Sequence, residues 1–145
     1  MSNFQRQGAL SNSHVGREFE SVVLQELRRI GIDVEAQYKV PCGLSEKKDH
    51  KFDFGSNDIL IECKSHRWTK TGRMPTAKIR DWEVTMYHFH ISPPGYRKIF
   101  IVEYSYNKDR NETLLQFFQR TRKYLIPSNV EMWELHPEKG FIKRC

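Results

Sequence analysis

Asp53, Glu62 and Lys64 are the residues whose types and spacing point most directly to chemistry. They flank a predicted tight turn at 55–58, on two short apolar stretches that are typical of strands. Side chains alternate across a strand, so Glu62 and Lys64 share a face. Asp53 joins them only if the numbers of paired residues sum to an odd value, as when Asp53 pairs with Leu60 or with Glu62. The predicted site therefore depends on strand register.

Two carboxylates beside a lysine can hold a divalent metal next to a phosphate. Phosphodiester hydrolysis needs an activated water and neutralised charge, and Mg²⁺ supplies both while preferring carboxylates, waters and phosphate oxygens as ligands. Asp53 and Glu62 are the predicted metal ligands, and the backbone carbonyl of Cys63 is a further one. Lys64 would orient or deprotonate the attacking water, or stabilise the transition state. The alternative is a solvent-facing strand edge, with Asp53 as a turn residue.

A basic stretch leaves the second of these strands. Between residues 64 and 80 there is no acidic residue. The basic residues are Lys64, Arg67, Lys70, Arg73, Lys78 and Arg80. This favours a loop that binds phosphates, with Trp68 available to stack on a base and His66 as a phosphate contact or second base. The alternative is a solvated loop.

Apolar periodicity predicts eight elements in the order α-β-β-β-α-β-α-β. They are a helix from 13 or 14 to about 30, strands at 32–40, 51–54 and 59–64, a helix from 75 or 76 to about 90, a strand at 99–102, a helix capped by Asn111 and a strand at 130–135 that can pair with 141–142. The continuous apolar run at 99–102 indicates a central strand covered on both faces. We expect an α/β fold, with a mixed central sheet flanked by helices.

Helical spacing also assigns the buried faces. The predicted core positions are Val15, Phe19, Val22, Val23, Leu27 and Ile30 in the first helix, Ile79, Trp82, Met86 and Phe89 in the second, and Leu114, Leu115, Phe117, Phe118 and Leu125 in the third.

Length and composition indicate one globular domain at 13–145, preceded by a flexible arm at 1–12. No apolar run reaches the roughly 20 residues of a membrane span, and no secretory signal is visible. Three scattered cysteines favour a reducing, intracellular (cytoplasmic) setting over a disulfide framework. The formal charge of +6 fits a nucleic-acid partner better than a membrane.

Asp53 followed by Glu62-Cys63-Lys64 resembles the motif of the PD-(D/E)XK nuclease superfamily, which has the restriction-endonuclease-like fold. That motif places an acid on an N-terminal helix, then an Asp, then E-x-K on the next strand. The stretch Gly16-Arg17-Glu18-Phe19-Glu20 is similar to the G-x-x-x-E helix of archaeal Holliday-junction resolvases. The resemblance covers roughly residues 14–104 and the order α-β-β-β-α-β. It departs at Phe52, where the motif has proline.

The resemblance implies that Glu20 is the helix acid and a metal ligand, with Glu18 and Glu26 as alternatives. It implies a Mg²⁺-dependent DNA endonuclease, in which Mn²⁺ can substitute and which leaves 5′-phosphate and 3′-hydroxyl ends. It also implies a homodimer and either a structure-specific, resolvase-like enzyme or a site-specific restriction or mobile-element type. Two alternatives remain: a non-catalytic nucleic-acid-binding module, and a subunit of a larger DNA-processing complex that docks through the helix at 114–125.

Overall fold

A six-stranded mixed sheet organises the protein, which a computed structural model describes over residues 12–145, with side chains from residue 14. The strand order is β1-β2-β3-β4-β7-β8. Its strands are β1 (Glu35–Cys42), β2 (Lys48–Gly55), β3 (Ile59–Lys64), β4 (Arg97–Glu103), β7 (Val130–His136) and β8 (Gly140–Lys143). The three central strands β3, β4 and β7 run parallel, and the outer pairings are antiparallel.

Within residues 12–145, three helices and a small hairpin complete the fold. They are α1 (Asn12–Arg29), α2 (Thr76–Ile91), the hairpin strands β5 (Tyr106–Asn107) and β6 (Glu112–Thr113), and α3 (Leu114–Thr121), which is followed by a 3₁₀ turn at Lys123–Leu125. The prediction of a mixed sheet flanked by helices is confirmed. The predicted arm at 1–12 lies outside the described residues, except that Asn12 begins α1. No helix in the described range has the length and apolar character needed to cross a membrane.

Each face of the sheet buries its own core. On one face, α1 packs Phe19, Val23 and Leu27 against residues of the central strands. On the other, α2 and α3 bury a larger aromatic cluster that includes Trp82 and Phe118. The β4 residues 99–102 are fully buried, which confirms the predicted central strand. Burial of large apolar side chains on both faces of the sheet fixes the position of β3, the strand that carries Glu62 and Lys64.

β2 bends at Asp53. Phe52 belongs to the core under α2 and α3, whereas Phe54 belongs to the core under α1. In a regular strand, residues two apart face the same side, so the chain must change its twist between these two phenylalanines. Opposite the bend on β1, Gln37 has a positive φ of 56°. The two buried phenylalanines hold Asp53 at the bend from opposite sides of the sheet.

Several boundaries and core assignments differ from the sequence prediction. The cap of α3 is Thr113, whose side chain and that of Gln116 form a capping box, while Asn111 occupies the preceding hairpin with a φ of 54°. α3 ends at Thr121, and Leu125 is 37% exposed. Its apolar residues Leu114, Leu115, Phe117 and Phe118 are buried in the protein's own core, which removes the predicted docking surface.

Two further predictions were wrong: the burial of two α1 residues and the bounds of β1. Val22 and Ile30 are 47% and 40% exposed, because α1 covers the sheet with a narrower stripe than spacing predicted. β1 begins at Glu35 and continues through Pro41 to Cys42. Proline is tolerated there because β1 is an edge strand: it pairs with β2 on one side only, so no strand on its other side needs the missing N–H.

Candidate active site

Asp53 and Glu62 meet where β2 and β3 separate. The observed pairs between the strands are Phe54 with Ile61 and Gly55 with Leu60, so the paired numbers sum to 115, the odd value that the site requires. Beyond Phe54 the regular ladder stops and carboxylates replace its carbonyls. The N–H of Asp53 donates to Oε1 of Glu62 at 3.2 Å, and the N–H of Cys63 donates to Oδ2 of Asp53 at 2.8 Å.

The backbone carbonyl of Cys63 turns to the same side as these carboxylates. The N–H and C=O of one strand residue point to the same neighbouring strand, and the N–H of Cys63 points to Asp53. Cys63 also lines the cleft into which the acids open. Its carbonyl therefore lies among the oxygen atoms of the site.

α1 contributes Glu20. Its side chain hydrogen-bonds Asp53, and burial together with the Asp53 charge raises the pKa of Glu20 to about 7. Glu20 therefore binds a proton more readily than an isolated glutamate does. Of the alternatives, Glu18 lies 3.5 Å from His14 at the helix surface, and Glu26 is bound to Arg29. Gly16, one turn before Glu20, lines the same cleft.

Glu62 is the most strongly perturbed acid. Burial raises its pKa to about 8, and the charge of Asp53 adds to the effect. Burial also raises the pKa of Asp53, although the Cys63 N–H and Lys64 oppose the rise. Lys64 lies close enough to lower the pKa of all three acids. A single lysine does not neutralise three clustered carboxylates, so the site favours protons or another cation.

The donor set suits a hard divalent cation. Glu20, Asp53, Glu62 and the Cys63 carbonyl offer only oxygen atoms, which Mg²⁺ and Mn²⁺ prefer. Among residues 14–145, however, no three His, Cys, Asp or Glu side chains already point at one common position. The carboxylates are instead turned to each other and to backbone N–H groups. Small rotations of these side chains would be needed to point them at one ion.

A cleft of about 580 Å³ opens over the acids. Of the predicted phosphate-binding residues, it is lined by Lys64, His66, Arg67, Trp68, Lys70 and Lys78. Arg73 and Arg80 are exposed and lie outside this lining. The basic stretch therefore divides into a cleft-facing part and an outer part.

Two of the cleft residues, Arg67 and Trp68, have partners within the protein. Arg67 forms an ion pair of 2.6 Å with Glu103, and both side chains are largely buried. Trp68 packs edge-on against Phe117 with the guanidinium of Arg110 above its ring. Binding of DNA by Arg67 and Trp68 stays a prediction, but both are engaged within the protein, whereas Lys70 is exposed at the cleft rim.

His66 accepts a hydrogen bond at Nδ1 from Nε1 of Trp82, 3.0 Å away. The indole N–H can only donate, so Nδ1 carries no proton and the neutral ring is protonated at Nε2. His66 can then donate to an anion in the cleft, but it is not arranged to take a proton from water through Nδ1.

A brace for the basic loop was not visible in the sequence. Asn107, in the β5–β6 hairpin, donates to the carbonyl of Gly72 and accepts from the N–H groups of Asp109 and Arg110. Ser105 accepts from the N–H of Trp68. Only the fold brings residues 105–110 next to the loop. An Asn at a turn was the available signal, and it predicts a local turn rather than a distant contact.

No protein-family model, no curated protein and no solved structure matches this chain.

Proposed function

We propose that the protein is a metal-dependent endodeoxyribonuclease that hydrolyses phosphodiester bonds. The observation that carries the proposal is the convergence of Glu20, Asp53 and Glu62 with Lys64 at the floor of one cleft. Two further lysines, Lys70 and Lys78, line that cleft. Clustered acids of raised pKa in a basic cleft are costly for stability, and such costs concentrate at functional sites.

The cofactor proposed is Mg²⁺, with Mn²⁺ as a substitute. Asp53, Glu62 and the Cys63 carbonyl would hold it, with Glu20 as a direct or water-mediated ligand. A bound ion supplies Lewis-acid charge and lowers the pKa of water. The acids must release their protons to bind it, which their raised pKa values make dependent on pH.

The chain's own residues account for the remaining requirements. Lys64 lies beside the acids and can orient a water or stabilise negative charge that develops on a phosphate. Lys70 and Lys78 can bind the flanking phosphates. Packing of α1 against β3 holds Glu20 towards Asp53 from the other side of the cleft. This arrangement favours phosphoryl chemistry over metal storage, because lysines that line the cleft attract phosphate but repel a stored cation.

The resemblance to the PD-(D/E)XK superfamily gives the proposal its narrower form. The observed succession of α1, β1, β2, β3, α2 and β4 supports the restriction-endonuclease-like core. The position of Glu20 supports a resolvase-like helix acid. We therefore propose a structure-specific, resolvase-like or a site-specific, restriction-type DNA endonuclease, acting as a homodimer.

The test is cleavage of a panel of labelled duplex, four-way-branched and single-stranded DNAs with Mg²⁺, Mn²⁺ or a chelator. We expect metal-dependent cutting of at least one DNA, 5′-phosphate products, and loss of cutting in Lys64→Ala. If none is cut, or if Lys64→Ala cuts like the wild type, the proposal is wrong. Binding that is unaffected by chelator and by Asp53→Asn, without cutting, would identify a non-catalytic binding module.

A further inference from the structure

The β1–β2 hairpin has one face that no helix within residues 12–145 covers. On its other face Tyr38, Val40, Cys42 and Phe52 pack into or against the core under α2 and α3. By alternation, the uncovered face carries the intervening residues. We call it the outer hairpin face: Gln37, Lys39 and Pro41 on β1, and Asp49 and Lys51 on β2. All five are exposed.

Lys39 and Lys51 lie directly opposite each other on this face. Like charges at directly opposed positions of an antiparallel pair repel and are destabilising. Neither ammonium group has an ion-pair partner among the described residues, although Asp49 lies two residues from Lys51 on the same face. The hairpin therefore carries an uncompensated positive pair that weakens its own pairing.

The lysine pair is close to the candidate active site. Lys51 lies two residues before Asp53, which is about 7 Å along a strand. One strand of duplex DNA carries a phosphate about every 3.4 Å along the helix axis, so this distance corresponds to about two phosphates. A phosphate backbone held at the acids is therefore within reach of Lys51 on the outer hairpin face.

We infer that the outer hairpin face is a second contact surface for the phosphate backbone of duplex DNA, with Lys39 and Lys51 as the contacting residues. The inference rests on the proposed function for the choice of DNA. A phosphate near both ammonium groups offsets their repulsion. The unfavourable free energy of that repulsion in the free hairpin therefore adds to the favourable free energy of DNA binding. Asp49 opposes the same backbone and tempers its affinity.

The rival explanation is protection of a sheet edge. β1 is an edge strand, and exposed lysines on edge strands discourage pairing with other chains. The two explanations differ in what removal of the lysines changes. Edge protection predicts self-association and unaltered DNA binding, whereas phosphate contact predicts weaker, less salt-dependent binding.

The test measures binding of labelled duplex DNA as a function of salt, in chelator so that nothing is cut. Variants are Lys39→Gln, Lys51→Gln, the double variant and Asp49→Asn. Lys139→Gln, an exposed lysine in the turn before β8 at the opposite sheet edge, is the matched control. Circular dichroism and sedimentation establish that each variant is folded and report its oligomeric state.

We expect each single lysine variant to reduce the steepness of log K against log[salt] by about 0.9, and the double variant by about twice that. Asp49→Asn should bind more tightly, and Lys139→Gln should match the wild type. Slopes unchanged from that control would overturn the inference, whether or not the lysine variants self-associate. Cleavage with Mg²⁺ is scored separately, so DNA binding without cutting would contradict the proposed function and leave this inference standing.

Discussion

Asp53 and Glu62 are joined through the backbone of β2, because the Asp53 N–H donates to Oε1 of Glu62 at 3.2 Å. A second hydrogen bond runs in the other direction between the two strands, because the Cys63 N–H of β3 donates to the Asp53 carboxylate. These two hydrogen bonds position both carboxylates. Burial raises the pKa of both acids, and the charge of Asp53 raises the pKa of Glu62 further.

The first prediction concerns stability and pH without metal. The pKa values of Glu20 and Glu62 are raised from 4.5 to about 7 and about 8. The folded protein therefore keeps protons that the unfolded chain has released, and stability falls as pH rises through these folded values. We expect a loss on the order of 1–2 kcal/mol between about pH 7 and 9, discounted for partial exposure of Glu20.

Urea denaturation in chelator measures this loss. The pKa values of His50 and His88 are lowered by burial, which gives the opposite pH trend near and below pH 6.5. Burial raises the pKa of the Cys42 and Cys63 thiols, which adds to the loss near pH 9, so comparison with Glu62→Gln is what assigns the loss to the acids. Glu62→Gln should flatten the curve, whereas Glu26→Gln at the surface should leave its slope unchanged. Stability that stays level or rises from pH 7 to 9 in the wild type would contradict the raised pKa values.

The second prediction concerns metal binding. An ion that binds only the folded protein stabilises it, by about 2.7 kcal/mol at 100 times its Kd. We expect Mn²⁺ or Mg²⁺ to raise the unfolding temperature, more at pH 8 than at pH 6, because ion and protons compete for Glu20 and Glu62. The rise should vanish in Asp53→Asn. An equal rise in that variant would show that the ion binds elsewhere.

The third prediction separates Lys64 from metal binding. Lys64→Met should lower single-turnover cleavage by roughly 10²–10⁴-fold, the usual range for loss of a proton-transfer or charge-stabilising group. The metal-dependent rise in unfolding temperature should persist, because the ligand oxygens are intact. Lys70→Met, at the cleft rim, is the control and should mainly weaken DNA binding. Loss of metal stabilisation in Lys64→Met would refute this division of roles.

The fourth prediction concerns the brace behind the basic loop. Asn107 is 7% exposed and makes three hydrogen bonds. Asn107→Ala should lower the free energy of unfolding by about 1–3 kcal/mol, because three partly buried hydrogen bonds are lost. Asn107→Asp keeps the two accepted bonds and should speed amide hydrogen exchange mainly around Gly72. The exposed Asn129→Ala is the control, and an equal effect there would contradict the brace.

The sequence predicted the strands and the buried stripe of α2 because these depend on local periodicity. It also predicted the register condition at Asp53, which the observed pairing satisfies. It did not predict the bend in β2, since Phe52 and Phe54 read as one apolar face and only two separate cores pull them apart. The engagement of Trp68 with Phe117 and Arg110 was equally hidden, because those partners lie about 40–50 residues away in the chain.

The choice among the three helix acids shows the same limit. Helical spacing placed Glu18, Glu20 and Glu26 around one apolar stripe, so each of them was a candidate for the helix acid. What separates them is the angle through which α1 is rotated about its own axis, which is set by packing of Phe19, Val23 and Leu27 against the sheet. That angle is a tertiary property, and it brings Glu20 to Asp53.

The most direct measurement of the central claim compares Glu20→Gln with Glu18→Gln in single-turnover DNA cleavage at saturating Mg²⁺ and matched DNA binding. The two acids lie two residues apart on α1, but only Glu20 is bonded to Asp53. We predict that Glu20→Gln loses at least about 10²-fold in cleavage rate while Glu18→Gln stays within about twofold of the wild type. Equal rates for the two variants would contradict the account.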